Sequence, residues 1–208
     1  MHAQSKTHQA LALFDFDGTL CKRDSFTGFM FFAHSKMHVI RRGVFVLPWI
    51  LTYYLKRYPA HLMRPKLYRA LFKNCDAEQM HRIAQQYADQ LLHHFDLEVY
   101  QQLRQHQQRG DRVILVSASL DLYLAPLCQA LNIELLCTQV EVQNQRLSGA
   151  YSSADCSNAE KVKRIHAYCD LAQYHTIYAY GNSPEDQAML NLADYAYLHG
   201  QTNGLPTL

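Results

Sequence analysis

Two aspartates, Asp15 and Asp17, stand one residue apart at the end of an apolar run, in the stretch LALFDFDGTLCKRD from Leu11 to Asp24. Carboxylates at that spacing repel each other and resist desolvation, so stability does not explain them at the end of a buried strand. A cation, an anchored phosphate or a proton-transfer step would. Further polar groups recur along the chain: Ser117-Ala118-Ser119 after RVILV, Lys161 on a helix starting near Ser157, and Gly181-Asn182-Ser183-Pro184-Glu185-Asp186 after TIYAY. A parallel sheet carries such loops to one edge. Two carboxylates, a hydroxyl, an amine and another carboxylate then suit phosphoryl transfer through a covalent aspartyl phosphate. In that chemistry one Asp attacks phosphorus, and its neighbour protonates the leaving group and later activates water. A hydroxyl and a lysine hold phosphate oxygens, while a metal on carboxyl oxygens neutralises charge.

The elements that must position these groups alternate between strand and helix. Ala10 to Phe14, Arg112 to Val116, Thr176 to Tyr180 and Tyr195 to Leu198 read as short buried strands. Helical periodicity covers Ala77 to His94 and Leu97 to Arg109, with Gly110 closing the second helix. Helices are also expected over about Leu120 to Leu131, Ser157 to Cys169 and Pro184 to Leu192. Glu134 to Tyr151 reads as a strand and hairpin turning around Asn144 to Arg146. This alternation predicts an α/β fold with a Rossmann-like parallel sheet covered by helices on both faces. One interval is too long for an ordinary crossover: nearly 90 residues lie between the first strand and the second. An inserted α-helical cap over 26–92 is expected there, above the strand ends, leaving 1–25 and 93–208 as the catalytic core.

Charge marks the same interval. From Ser25 to Cys75 there is no Asp or Glu and there are nine Lys or Arg (36, 41, 42, 56, 57, 64, 66, 69 and 73). The remainder carries eleven basic and eighteen acidic residues, although the whole chain is +2. Such asymmetry suggests a segment with its own task. Composition, 49% hydrophobic and 18% charged, excludes a disordered chain. Six cysteines without a CxxC pair read as reduced thiols, and MHAQSKTHQA lacks the apolar core of a secretory signal. The longest apolar run, Gly43 to Leu55, has 13 residues and contains a proline, against about 20 needed to span a bilayer. The expectation is a cytoplasmic protein, with peripheral contact at the inner face of the membrane as the added alternative.

The motifs DFDGTL, a strand ending in Ser117, Lys161 and GNSPED, in that order, resemble the haloacid dehalogenase superfamily. The closest pattern is its subfamily with a helical cap after the first strand, which includes phosphoserine phosphatases. The resemblance implies that Asp15 is the nucleophile and Asp17 the general acid and base. It assigns Ser117, Ala118, Lys161, Gly18 and Thr19 to the phosphate side, Gly18 permitting the turn and Thr19 orienting the loop. It also implies Mg²⁺ held by Asp15, the backbone carbonyl of Asp17, and the Asn182 and Asp186 loop. Two departures stand out. Asn182 falls where many relatives have an aspartate, and Asp24 and Glu185 fall where phosphoserine phosphatases have a glutamate and an asparagine.

Several residues have two readings. Asp24 serves either as a helix N-cap or as a substrate contact, and Glu185 is a second candidate contact. Family spacing favours Lys161 over Lys163 as the phosphate ligand. His34 and His38 have helical metal-pair spacing but no third ligand, so a surface pair is expected. Phe26, Phe29, Phe31, Phe32, Trp49, Tyr53 and Tyr54 form the insert's own core, or else line an apolar pocket or lean on a membrane. The expected function is a Mg²⁺-dependent phosphatase whose cap chooses a small phosphorylated metabolite. The alternatives are a lipid phosphatase of the phosphatidylglycerophosphate type at the membrane surface, or a non-catalytic membrane-binding module with a decayed metal site. No RNA-binding motif is recognisable, so nucleic acid is not expected as a partner.

Overall fold

The computed structural model describes residues 10–55, 57–202 and 204–208, without the side chain of Tyr54. The N-terminal stretch read for a leader and Lys56 lie outside the described residues. The order in which strands are laid down reverses at the first strand. Among the described residues, β1 (Leu11–Phe14), β2 (Arg112–Leu120), β3 (Glu134–Thr138), β6 (Ile177–Gly181) and β7 (Tyr195–Leu198) form a parallel sheet ordered β3-β2-β1-β6-β7. The chain moves outward from β1 through β2 to β3, then returns to the other side of β1. Ligands in open sheets bind at such a switch point, beyond the carboxyl ends of the strands.

β1 reads LALF without alternation because both of its faces are covered. Leu11 and Leu13 pack with Ile114, Val116, Ile165 and Met189. Ala12 and Phe14 join Val113, Leu115, Val99 and Leu103 on the opposite face. The covering helices are α6 (Leu97–Arg109) and α7 (Asp121–Leu131) on one side, and α8 (Ala159–Tyr168) and α9 (Gln187–Leu190) on the other. Gly110 ends α6 at φ 77°, as its C-terminal position predicts. The hairpin of β4 (Val140–Gln143) and β5 (Arg146–Tyr151) turns through Asn144 and Gln145, at φ 50° and 62°. Two positive φ values make the turn whose twist suits a two-residue hairpin.

Between β1 and α6 the chain forms α1 (Ser25–Ala33), α2 (Lys36–Gly43), a tight turn at Val44–Val46, α3 (Leu47–Tyr54), α4 (Ala60–Phe72) and α5 (Ala77–Leu91). Asp24, Ser35 and Asp76 cap α1, α2 and α5, each accepting a backbone N–H three residues on. α4 packs on β5 and α5 on α7. Phe29 centres an aromatic cluster, 5.4 Å from Phe72 and Tyr87 and 5.0 Å from Tyr123 of α7.

Four expectations need correction. β2 continues past Val116 to Leu120, with an irregularity against β3 between Ser117 and Leu120, so Ser117 belongs to the strand. The helix expected over Pro184 to Leu192 is a 3-10 turn at Pro184–Asp186 followed by α9, because Asp186 takes up the backbone N–H groups of Asn182 and Ser183. His34 and His38 stack at 4.7 Å, His34 also lies 4.9 Å from Phe72, and both are half-buried where a surface pair was expected. The aromatic set divides: Phe26 and Phe29 are core, whereas Phe31, Trp49 and Tyr53 are exposed.

Candidate functional site

Asp15 leaves β1 with its N–H donating to Tyr180 O of β6 at 2.9 Å, so its position is set by the sheet itself. The chain then turns back, with Cys21 N–H donating to Phe16 O at 2.8 Å and Gly18 N–H to Cys21 O at 2.7 Å. Gly18 holds φ 80° there, and a Cβ on it would meet Asn182 Nδ2 at 2.0 Å. Glycine is required on both counts. The turn directs Thr19 back onto Asp15, where its Oγ1 donates to Oδ2 at 3.0 Å.

Lys161, buried on the first turns of α8, donates to Asp15 Oδ1 and to Asp186 Oδ1, each at 2.6 Å. Asp186 Oδ2 accepts from Asn182 N at 3.1 Å, Ser183 N at 3.0 Å and Ser183 Oγ at 2.9 Å. Burial pushes Asp15 up to about 7, since Lys161 shares its charge with Asp186 and cannot fully offset the desolvation. At Asp186 burial also acts upward, but Lys161 and the loop donors outweigh it and hold the carboxyl below its ordinary value. Burial pulls Lys161 down, and its two carboxylates more than reverse that. Lys163 takes no part: its ammonium is exposed, 3.4 Å from Glu160.

Asp17 is held separately. Its Oδ1 accepts from Ser25 N at 2.6 Å and its Oδ2 from the Ser119 hydroxyl. Ser25 Oγ lies 3.1 Å from both Ser119 Oγ and Tyr123 OH, and Tyr87 OH donates to Ser25 O at 2.9 Å. Burial raises Asp17 above the usual carboxylate range despite these donors. Ser117 Oγ accepts from Ser119 N at 3.1 Å, and Thr138 Oγ1 pins Ala118 O at 2.8 Å. The structure therefore gathers Asp15, Asp17, Gly18, Thr19, Ser117, Ala118, Lys161, Asn182 and Asp186 at one sheet edge.

All of these except Gly18 and Thr19 floor a cavity of about 810 Å³ whose upper walls come from α1 to α4 and the turn at Val44–Val46, including Phe26, Met30, Val46, Met63, Leu67 and Leu71. Asp24 lies at this cavity and is the N-cap of α1, accepting from Thr27 N at 3.0 Å and Thr27 Oγ1 at 2.7 Å. Glu185 is also at the cavity but is engaged by Arg64 of α4, whose Nη2 donates to its Oε2 at 3.1 Å. Arg64 also forks onto Asp155, with Nε and Nη2 each donating at 2.8 Å. Sequence reasoning missed Ser119, Ser25, Thr138 and Arg64. For Ser119 the one available signal was its place two residues after Ser117; Arg64 looked like any other cation of the basic stretch.

Comparison with known proteins agrees with this geometry. Protein CicA of Caulobacter vibrioides is 29% identical over 191 residues, covering 88% of this chain and 83% of that protein. A Bordetella pertussis protein described as of unknown function superposes with a TM-score of 0.74 at 20% identity, covering 91% of this chain and 89% of that one. A phosphoserine phosphatase in its apo form superposes at 0.64 with 15% identity, over 90% of this chain and 84% of that one. These likenesses show the fold expected from the DFDGTL, Ser117, Lys161 and GNSPED motifs. The family model of haloacid dehalogenase-like hydrolases matches residues 12–191, a span that runs from β1 beyond Asp186, and the chain belongs to that family.

Proposed function

We propose that the protein is a phosphomonoesterase working through an aspartyl-phosphate intermediate. The observation that carries this reading is the arrangement of Asp15, fixed between Lys161 and Thr19, beside an Asp17 held by a different set of donors. Asp15 Oδ attacks phosphorus while Asp17 gives a proton to the departing oxygen. Asp17 then takes a proton from the water that hydrolyses the acyl phosphate, restoring both carboxyls. Burial, which raises Asp17, suits a group that must begin protonated. Lys161, Ser117 and Ala118 receive the phosphoryl oxygens, with Thr19 keeping Asp15 aligned.

The donor set fits a divalent cation. Among the described residues no three His, Cys, Asp or Glu side chains converge as a ready cage. Mg²⁺, however, commonly uses one or two carboxylates and shares its remaining positions with water and phosphate. Asp15, the Asp17 carbonyl, Asn182 and Asp186 offer only oxygens for this purpose, and one lysine opposes three carboxylates at the site. When bound, Mg²⁺ supplies positive charge that keeps Asp15 ionised and offsets that of the phosphate.

Residues 26–92 act as the cap over the core formed by 1–25 and 93–208, and they choose the substrate. The apolar upper wall of the cavity favours a phosphomonoester with an apolar leaving group, so a lipid phosphate is the second reading beside a small phosphorylated metabolite. Both substrates suit an enzyme of the cytoplasm or its membrane face. Hydrolysis of an aryl phosphate with and without Mg²⁺, for wild type and Asp15→Asn, tests the mechanism. Metal-dependent turnover lost in the variant is expected; equal rates would sink the reading and favour a non-catalytic role.

A further inference from the structure

Among the described residues, nothing covers one apolar surface of the insert. Among the described residues α2 and α3 contribute no buried side chain, and Val46 between them is the buried one. Met37, Phe45, Leu51 and Leu55 are 73%, 74%, 56% and 65% exposed. Apolar groups gathered in this way on a surface mark an interaction site. Around them Lys36, Arg41, Arg42 and Arg57 are exposed, within a stretch that has no acidic residue. Lys66 Nζ lies 4.6 Å above the Trp49 ring on the same side chain cluster.

Ile40, Val44, Leu47 and Tyr53 are exposed and also line the cavity, so its mouth opens on this face. The charge selects the occupant. A second copy would bring one acid-free basic patch against another, and like charges would oppose the contact. A nucleic acid would match the charge but leave the aliphatic groups uncovered. An anionic phospholipid surface satisfies both, taking apolar side chains into the acyl boundary and cations at the headgroups.

We propose that α2, the turn at Val44–Val46 and α3 form a docking face for an anionic bilayer, placing the cavity mouth at the lipid surface. The docking stands on surface chemistry alone. Its consequence, that the phosphate brought to Asp15 is carried on a lipid, rests on the phosphatase reading.

Trp49 is the only tryptophan, so its fluorescence reports on this face directly. Vesicles of phosphatidylcholine and phosphatidylglycerol in equal parts should shift its emission to the blue and co-sediment the protein, whereas phosphatidylcholine alone should not. Arg41→Ala with Arg42→Ala should weaken partitioning roughly thirtyfold, and high salt should do likewise. Phe45→Ser should weaken it about tenfold while retaining aryl phosphate hydrolysis, which reports an intact fold. Absence of binding, indifference to the arginine substitutions, or a vesicle-free dimer that already buries Trp49 would overturn the proposal. Binding by an enzyme that fails to hydrolyse any phosphomonoester would strike the phosphatase reading alone. Hydrolysis without binding would strike this one alone.

Discussion

Lys161 donates to Asp15 at 2.6 Å across 146 residues of sequence, and it donates at the same distance to Asp186. One buried ammonium therefore neutralises carboxylates from two different strand ends. Removing it strands both. Lys161→Met should cost about 3–5 kcal/mol of stability, because breaking a buried pair leaves uncompensated charge. Urea unfolding would show the loss, and a midpoint equal to wild type would contradict it. Turnover should vanish as well.

Ser119 reaches Asp17 with its hydroxyl, and among the described residues no other side chain of β2 hydrogen-bonds that carboxylate. Ser119→Ala should lower kcat by about ten- to a hundredfold, the value of one hydrogen bond to a charged group. KM should change little, since in the proposed mechanism Ser119 holds the proton-transfer group and not the bound substrate. A pure KM effect, seen in steady-state kinetics, would mean that Ser119 contacts substrate instead.

Asn182 packs against Gly18, and its backbone N–H is taken by Asp186 Oδ2. Asn182→Asp is nearly isosteric and adds charge beside Asp15 and Asp186. Without metal the variant should melt below wild type through like-charge repulsion. With Mg²⁺ it should bind roughly tenfold more tightly, because a carboxylate is a stronger partner for that ion than an amide oxygen. Calorimetric titration and thermal melts with and without chelator read both effects.

His106 is fully buried between Asp111 and Tyr180, with Nδ1 2.8 Å from Asp111 Oδ2 and Nε2 2.8 Å from Tyr180 OH. Gln102 Nε2 donates to the same hydroxyl at 3.1 Å, leaving the Tyr180 proton for Nε2 of a neutral ring. Burial holds His106 below its ordinary 6.5, against the pull of Asp111. As pH falls through that value the unfolded chain gains a proton that the folded chain does not, so acid removes stability until the folded ring also protonates. Above it both rings are neutral and the effect disappears. Chemical denaturation from pH 7.5 to 5 should show a slope that His106→Gln flattens, the range being set around the free histidine value of about 6.5.

Sequence reasoning reached the parts of this molecule whose cause is local. β1 is a continuous apolar run because both faces are covered, and Gly110 announces the end of α6 by its need for positive φ. The convergence of Asp15, Lys161 and Asp186 was legible because the motifs sit where strands end. Ser119 and Ser25 were not, since their contacts with Asp17 and with each other depend on the irregular end of β2 meeting the start of α1. The aromatics of the insert have helical spacing throughout, and spacing alone does not tell Phe29, which faces α7, from Trp49, which faces solvent. Asp24 had two readings, and its contacts with Thr27 show the cap.

Arg64 ties α4 to Asp155, which precedes α8, and to Glu185, which immediately precedes Asp186. The roof of the cavity and the loop beside its deepest carboxylate thus share a single fastening. Lifting α4 would release Glu185, and any shift of the Glu185 loop would be felt in α4. Loss of the Arg64 side chain would therefore loosen the roof of the chamber and the loop of its floor together.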